Sequence, residues 1–184
     1  MKRAFDLAVS LILLLPAVVI CLIAAFFSWR EFRANPLFTQ WRLGKSQKPF
    51  RLYKIRTMPP QTGDLPSHHA PAVAISRSSA LIRKFKADEL PQLICVIRGD
   101  MSLVGPRPGL PSHAELVTER AAHGVFAVRP GITGLAQIKG VDMSEPARLA
   151  ALDGEYVRTR SMSLDLEILF QTVRGRGQGD ARAV

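Results

Sequence analysis

LAVSLILLLPAVVICLIAAFF, the run from Leu7 to Phe27, contains 21 residues without a charge and decides how this 184-residue chain is organised. A helix of that length reaches about 32 Å at roughly 1.5 Å per residue, which is enough to cross a hydrocarbon core of about 30 Å. A secretory signal has a shorter apolar core, of roughly 7 to 15 residues. Its export would also carry the basic residues after Phe27 across the membrane, against the usual retention of Lys and Arg on the cytoplasmic side. The run therefore predicts a membrane helix rather than a cleaved signal.

Basic residues flank both ends of this apolar run. Lys2 and Arg3 precede it, and eight Lys or Arg residues between positions 28 and 57 face a single acid, Glu31. Pro16 stands almost at the centre, where it removes one backbone hydrogen bond and kinks the helix. Because both flanks prefer the cytoplasmic, anionic side, we predict a re-entrant helix over residues 1–30 that bends at Pro16 and returns to the same face. A single span kinked by the proline is the alternative. Residues 31–184 are assigned to a cytosolic domain at the membrane surface.

The composition indicates one globular domain that binds an acidic partner. Lys and Arg number 25 against 15 Asp and Glu, a net charge of +10, and 47% of the residues are hydrophobic, which excludes a disordered chain. Nucleic acid, anionic lipid and phosphorylated small molecules all carry the required charge. Nucleic acid is disfavoured because the basic cluster lacks a helix-turn-helix or zinc-finger framework, whereas the membrane helix accounts for it. Cys21 and Cys95 lie 74 positions apart, which excludes a disulfide scaffold or structural zinc site and fits a reducing compartment.

The rest of the chain alternates short apolar runs with Pro and Gly, which predicts short elements. Phe50 to Ile55 alternates apolar and basic residues, the pattern of a half-exposed strand. The segment from Pro59 to Pro71 is rich in Pro and predicts a loop, in which the adjacent His68 and His69 are interpreted as solvated side chains rather than metal ligands. Ser79 to Phe85 predicts a short helix ending in basic residues.

Asp88 and Glu89 open a further predicted helix, which continues to Val96. Its apolar face comprises Leu90, Leu93 and Ile94. On local grounds Asp88 caps this helix, because an Asp side chain accepts hydrogen bonds from first-turn N–H groups. A chemical role is the alternative, since two carboxylates beside cations stay ionised, as a nucleophile or a magnesium ligand requires. The neighbouring cations are Arg83, Lys84 and Lys86.

Two segments rich in Gly and Pro present arginines. Arg107 stands between two prolines, which fix the backbone and limit the entropy that the guanidinium loses on binding. Such an Arg suits bidentate phosphate recognition, and a solvated surface Arg is the plain alternative. Arg129 opens the run that ends at Gln137, whose glycines allow backbone amides to approach an anion.

Together these motifs resemble those of the bacterial sugar transferase family, the monotopic polyprenyl-phosphate phosphoglycosyl transferases. The resemblance spans nearly the whole chain, and the run GDMSLVGPRP together with DELPQL is its most specific part. The matching segments are residues 2–6, 38–44, 50–58, 88–93, 99–108 and 129–137, with a looser match through Asp153, Tyr156, Val157 and Asp165.

The resemblance implies an α/β fold, mostly helical with short strands, in which a re-entrant membrane helix precedes a catalytic domain on the cytoplasmic face of the bacterial inner membrane. The implied reaction transfers a sugar 1-phosphate from a UDP-sugar to undecaprenyl phosphate and releases UMP. That transfer is the first membrane step in the assembly of an exopolysaccharide, O-antigen or glycoprotein glycan. The sequence does not identify the sugar or the pathway, and it leaves a homodimer open.

The resemblance also implies roles for individual residues. Asp88 corresponds to the nucleophile that forms a covalent phosphosugar aspartate, and Glu89 to its partner, with Mg²⁺ held at this pair. Arg83 and Arg107 match positions of the family, where Arg83 is expected to hold a phosphate and Arg107 to contact the nucleotide side of the donor. Arg56 and Arg129 are further candidates for substrate binding. A hydrolase that uses Asp88 in the same way but delivers the phosphosugar to water is the nearest alternative, and dependence on polyprenyl phosphate separates the two.

Overall fold

The computed structural model describes residues 1–60 and 76–175, and most of them lie in helices. The helices are α1 (Lys2–Phe32), α2 (Arg77–Lys84), α3 (Leu93–Arg98), α4 (Ala114–Ala122), α5 (Leu135–Ile138), α6 (Pro146–Thr159) and α7 (Met162–Val173). The strands are β1 (Leu37–Leu43), β2 (Pro49–Ile55), β3 (Ser102–Val104) and β4 (Gly131–Thr133). Short 3-10 segments occupy Lys45–Gln47, Ala87–Gln92 and Val125–Ala127. A mostly helical fold with short strands is thereby confirmed, as are the predicted strand in β2 and the short helix in α2. Most of the predicted loop, with His68 and His69, lies outside the described residues.

The apolar run forms one helix, α1, which continues through Pro16 and is long and apolar enough to cross a membrane. Its buried residues form a narrow stripe of small side chains: Asp6, Ser10, Ala17, Ala24 and Ser28. They recur at intervals of four and seven positions, so they share one face of the helix. The large apolar side chains point elsewhere, and Leu15, for example, is 76% exposed. One face of α1 therefore contacts the protein, and the remaining faces present an apolar surface.

The start of α1 is fastened to the C-terminal half of the chain. Lys2 Nζ lies 2.5 Å from Asp165 Oδ2 on α7. Asp6 is 3% exposed, and its Oδ2 accepts a hydrogen bond from Ser102 Oγ at 2.8 Å, on β3. These are charge-assisted contacts, which are stronger than neutral hydrogen bonds.

The end of α1 is fastened to the same folded body. Ser28 Oγ donates to the carbonyl of Arg56 at 2.7 Å, just after β2. Glu31 Oε2 accepts from the hydroxyl of Ser79 at 2.9 Å, on α2. Between the two ends, Ala17 belongs to the main core cluster with residues of β2, α3 and β3. The helix therefore lies along the body over its whole length.

Two small sheets hold the segments around the site. β1 and β2 pair antiparallel, in register from Leu37↔Ile55 to Leu43↔Pro49. β3 and β4 pair parallel through Ser102↔Gly131 and Val104↔Thr133. Gly131 is required here, because a Cβ on it would meet the backbone nitrogen of Gly105 at 2.1 Å. This close approach brings the segment that follows Gly105, and with it Arg107, against the body.

Candidate active site

Asp88 and Glu89, the acidic dyad, lie in the 3-10 segment Ala87–Gln92. The prediction that Asp88 caps an α-helix is wrong: the cap position is Lys86, in a left-handed conformation with φ 54° and ψ 23°, and α3 begins only at Leu93. The physical reason lies in Pro91, three residues after Asp88, which has no N–H for an Asp cap to accept from. The predicted apolar face also needs correction, since Leu93 is 3% exposed but Ile94 is 44% exposed. The carboxylate of Asp88 is thus not used in capping.

Glu89 is held by two cations from other parts of the chain. Its Oε1 accepts from Arg107 Nη2 at 2.7 Å and from Lys54 Nζ at 3.1 Å. Both cations contact the same oxygen, and no contact to Oε2 is found within residues 1–60 and 76–175. Burial by itself would raise the pKa of Glu89, but the charges and hydrogen bonds of Arg107 and Lys54 outweigh it and hold this pKa well below its usual range. Glu89 is therefore ionised at neutral pH.

Asp88 is about as buried as Glu89, with 8% of the residue exposed, but the pKa of its carboxyl shifts in the opposite direction. Burial raises the pKa of Asp88 above the ordinary value of 3.8, and the negative charge of Glu89 adds to this effect. The positive charges of Lys54, Arg83 and Arg107 act in the opposite direction without cancelling it. The dyad thus contains one carboxylate fixed by ion pairs and one whose charge responds more readily to its surroundings.

This difference predicts a pH profile for any reaction that uses ionised Asp88. Because its pKa lies above 3.8, activity will fall as pH drops through that raised pKa, and the acid limb will lie above the range of an exposed Asp. Glu89→Gln removes the like charge and releases two cations, so the limb is expected to move to lower pH in the residual activity. The measurement is kcat/KM against pH for both proteins. An acid limb that stays in place or moves upward in Glu89→Gln would contradict this account.

The structure brings some of the predicted arginines to the dyad and places others elsewhere. Arg107 contacts Glu89 directly, and Arg83 lies near enough to Asp88 to influence its charge. Arg56 Nε donates to the carbonyl of Asn35 at 2.9 Å. Arg129 Nε donates to the carbonyl of Gly99 at 2.6 Å. Both side chains therefore donate to loop carbonyls, and a role in substrate binding stays a prediction for Arg56 and Arg129.

Two lysines lie at the site, and the sequence identified only Lys86, as a cation next to the dyad. Lys54 on β2 binds Glu89, although the sequence indicates only that it belongs to a basic strand. Lys86 is half-buried beside the dyad, and burial lowers its pKa, with Glu89 acting in the opposite direction. The usable signal for Lys54 was its position in the motif KIRTM. We call Lys54, Arg83, Lys86 and Arg107 the cation cluster.

The dyad fits a magnesium site in which the protein supplies two carboxylates and the substrate supplies further ligands. Within the described ranges there is no group of three or more His, Cys, Asp or Glu side chains that could hold a metal ion. Mg²⁺ in phosphate-handling sites is commonly bound by one or two carboxylates, with substrate phosphates and water completing the octahedron. Asp88 and Oε2 of Glu89 match that donor set, because neither is used in an ion pair found among the described residues.

The geometry defines a class of site suited to anionic substrates at a lipid surface: two buried carboxylates and four cations next to a helix with an apolar outer surface. The sequence model of the family described as Bacterial sugar transferase matches residues 1–178 of this chain. This chain belongs to the bacterial sugar transferase family.

Curated relatives agree with this assignment. The chain is 41% identical to the uncharacterized sugar transferase EpsL of Bacillus subtilis (strain 168), covering 95% of this chain and 86% of that protein. It is 38% identical to the undecaprenyl-phosphate glucose phosphotransferase of Komagataeibacter xylinus, over 94% of this chain but only 35% of that protein. It is 35% identical to the UDP-glucose:undecaprenyl-phosphate glucose-1-phosphate transferase of Caulobacter vibrioides, over 94% of this chain and 68% of that protein.

Proposed function

We propose that this protein is an undecaprenyl-phosphate sugar phosphotransferase, which transfers a sugar 1-phosphate from a UDP-sugar to undecaprenyl phosphate and releases UMP. The observation that carries the proposal is the position of Asp88, a buried carboxylate surrounded by the cation cluster and free of the ion pair that holds Glu89. The family and the names of the relatives supply the two substrates. The product would begin a membrane-linked glycan such as an exopolysaccharide.

In the first step, a carboxylate oxygen of Asp88 attacks the phosphorus that carries the sugar. The bond from that phosphorus to the bridging oxygen breaks, UMP leaves with the electron pair, and the sugar phosphate remains on Asp88 as an acyl phosphate. Arg107 and Lys54 hold Glu89 ionised and stand where the diphosphate charge must be offset. A carboxylate nucleophile divides one difficult displacement into two easier ones.

In the second step, a phosphate oxygen of undecaprenyl phosphate attacks the same phosphorus, and the carboxylate of Asp88 leaves. The protein is regenerated and undecaprenyl diphosphate sugar is formed. Mg²⁺ bound at Asp88 and Glu89 would supply charge neutralisation for the diphosphate and a better UMP leaving group. Glu89 is placed to position the incoming phosphate or to support the metal, and its fixed ionisation suits either task.

The test is UMP release by the detergent-purified chain with Mg²⁺, undecaprenyl phosphate and a panel of UDP-sugars. UDP-glucose is the first donor to test, followed by UDP-galactose and the N-acetylated hexosamine donors. UMP release that requires the lipid would support the transferase. UMP release at the same rate without lipid would instead favour the hydrolase, which delivers the phosphosugar to water. No UMP from any donor, by protein shown to be folded, would overturn the proposal.

We further propose that α1 is re-entrant and that the folded body lies on the cytoplasmic face of the bacterial inner membrane. Three observations support this placement: basic residues flank both ends of the helix, Pro16 stands near its centre, and both ends contact the same body. A span with its ends on opposite faces would separate Lys2 from Ser28 by the thickness of the bilayer, whereas Lys2 and Ser28 both contact one folded body.

Cysteine accessibility tests this topology. Ala4→Cys and Asn35→Cys place thiols at exposed positions beyond the two ends of the apolar run, in a chain with Cys21→Ala; Cys95 is fully buried and serves as the silent background. Both thiols are expected to react with a membrane-impermeant maleimide only after spheroplasts are permeabilised. Reaction of one thiol in intact spheroplasts, with the other protected, would establish a single span and overturn the re-entrant proposal.

A further inference from the structure

Asp6, near the start of α1, is a buried acid that the proposed reaction does not use. The residue is 3% exposed. Its Oδ2 accepts a hydrogen bond from the hydroxyl of Ser102 at 2.8 Å, and its Oδ1 accepts from the backbone N–H of Leu103 at 3.3 Å. In the part of the chain that the structure describes, no ion pair involves Asp6. Because a buried carboxylate is costly unless it is hydrogen-bonded, these two donors are what stabilise Asp6 in its position.

Both donors belong to β3, a strand of only three residues. On one side of β3 lies β4, and the N–H of Ser102 donates to the carbonyl of Pro130 on that side at 2.8 Å. Successive backbone N–H groups of a strand point to opposite edges, so the N–H of Leu103 points away from β4. No second strand pairs with that outer edge among the described residues, and Asp6 supplies an acceptor there. A two-stranded ladder is marginal by itself, so the attachment to α1 helps to fix β3.

Arg107 follows β3 by three residues, and the segment between them has little freedom of its own. The N–H of Gly105 donates to the carbonyl of Thr133 at 2.9 Å, and the carbonyl of Pro106 accepts from the N–H of Gly131 at 2.9 Å. The prolines on either side of Arg107 each fix one backbone φ angle. The position of Arg107 therefore follows that of β3 and β4.

The dyad, which Arg107 contacts, is also packed on α1. Ala87, directly before the dyad, belongs to a small apolar cluster with Ala24 in the second half of α1. Asp6 lies in the first half of the same helix. The ion pair between Arg107 Nη2 and Glu89 Oε1, at 2.7 Å, thus joins two segments that are both attached to α1.

We propose that Asp6 is a positioning residue for the transfer reaction: it holds β3 on α1 and thereby sets Arg107 where its guanidinium pairs with Glu89. The proposal rests on the function proposed above. A displacement of about 1 Å in such a group can cost roughly 100-fold in rate, because a preorganised charge acts only where charge develops in the transition state. The alternative is that Asp6 merely fastens the start of α1 to the body, as Glu31 fastens its end.

A double-mutant cycle separates these two roles. Asp6→Ala is expected to lower kcat/KM for lipid-dependent UMP release by roughly 10- to 100-fold. If Asp6 acts through Arg107, the variant Asp6→Ala/Arg107→Ala should be at most about 2-fold slower than Arg107→Ala. Two losses that multiply would show that Asp6 acts independently of Arg107, and would overturn the proposal.

Glu31→Ala is the matched control for this cycle. Glu31 is also a carboxylate of α1 with two donors on the body, since its Oε2 accepts from the hydroxyls of Ser78 and Ser79 at 2.8 and 2.9 Å. Those donors precede and lie on α2, a different segment from the one that carries Arg107, so any loss in Glu31→Ala should multiply with that of Arg107→Ala. A Glu31→Ala loss that also vanishes without Arg107 would show that any loosening of α1 acts in this way, against a specific role for Asp6.

Hydrogen exchange supplies a readout that needs no turnover. Asp6→Ala is expected to speed exchange of the amides in residues 102–109 by at least about 10-fold, because β3 loses two hydrogen bonds to a charged acceptor. Exchange in α6 should be unchanged. Unchanged exchange over residues 102–109, or equally faster exchange throughout the body, would overturn the proposal. Because no substrate is present, this result is independent of whether the chain proves to be a transferase.

If Asp6→Ala does not fold, Ser102→Ala removes one of the same contacts from the side of β3. Smaller effects of the same kind are then expected: a loss of kcat/KM that disappears in the Arg107→Ala background, and faster exchange confined to residues 102–109. A folded Ser102→Ala protein that shows neither effect would count against the role of Asp6.

Discussion

Asp88→Asn is expected to abolish lipid-dependent UMP release, with a loss of at least about 10³-fold in kcat. The amide nearly matches the carboxylate in shape but has no negative charge and cannot form the acyl phosphate. The loss arises in the transition state, and so substrate binding should survive. In the absence of Mg²⁺, UMP affinity is expected to be unchanged or tighter, because a negative charge near the phosphate has been removed. Kinetics and calorimetry on the same preparation separate these two effects.

The covalent intermediate gives this prediction a direct readout. Incubation with a donor labelled in its sugar, without undecaprenyl phosphate, should leave label on the denatured unmodified protein and none on Asp88→Asn. Glu115→Gln is the matched control, since Glu115 is exposed on α4 and the same acid-to-amide change there should retain both label and activity. Retention of label and of UMP release by Asp88→Asn would show that another residue is the nucleophile.

The local features of the fold were predictable because their causes are local. The apolar run to Phe27 forms one helix, and the alternation from Phe50 to Ile55 forms a strand. Both depend on residue periodicity within one segment, which the sequence displays directly. The acidic dyad was also visible, since two adjacent acids among Lys and Arg are unusual in this chain.

The features that sequence reasoning missed depend on the paths of other segments. The capping role of Asp88 was wrong because a proline three positions on removes the donor that a cap needs. Lys54 reaches Glu89 from a strand 35 positions away, and no short-range pattern encodes that approach. Arg120 and Asp153 lie on two helices and are 33 positions apart in the chain, so their pairing appears only once α4 and α6 pack.

The buried pair between Arg120 and Asp153 carries the largest expected effect on stability. The two side chains are 4% and 2% exposed, and they join α4 to α6 through two hydrogen bonds. Burial raises the pKa of Asp153, and the Arg120 charge opposes that effect. Removing one partner of a buried pair leaves an uncompensated charge, whereas replacing both by apolar groups of similar volume is often neutral.

Arg120→Met is therefore expected to lower the free energy of unfolding by about 3 to 5 kcal/mol at neutral pH, measured by chemical denaturation. The loss should shrink as pH falls, because the pKa of Asp153 in the folded variant rises further above its unfolded value and protonation then favours the folded state. Arg148 pairs with Glu145 at the surface. Arg148→Met is therefore the control and should lower the free energy of unfolding by at most about 1 kcal/mol.

The double variant Arg120→Met/Asp153→Leu decides between a charge effect and lost packing. If the uncompensated carboxylate is the cause, the double variant should regain most of the stability that Arg120→Met loses, and its stability should no longer rise as pH falls. A double variant as unstable as Arg120→Met would show that the Arg120 side chain stabilises α4 and α6 by packing instead.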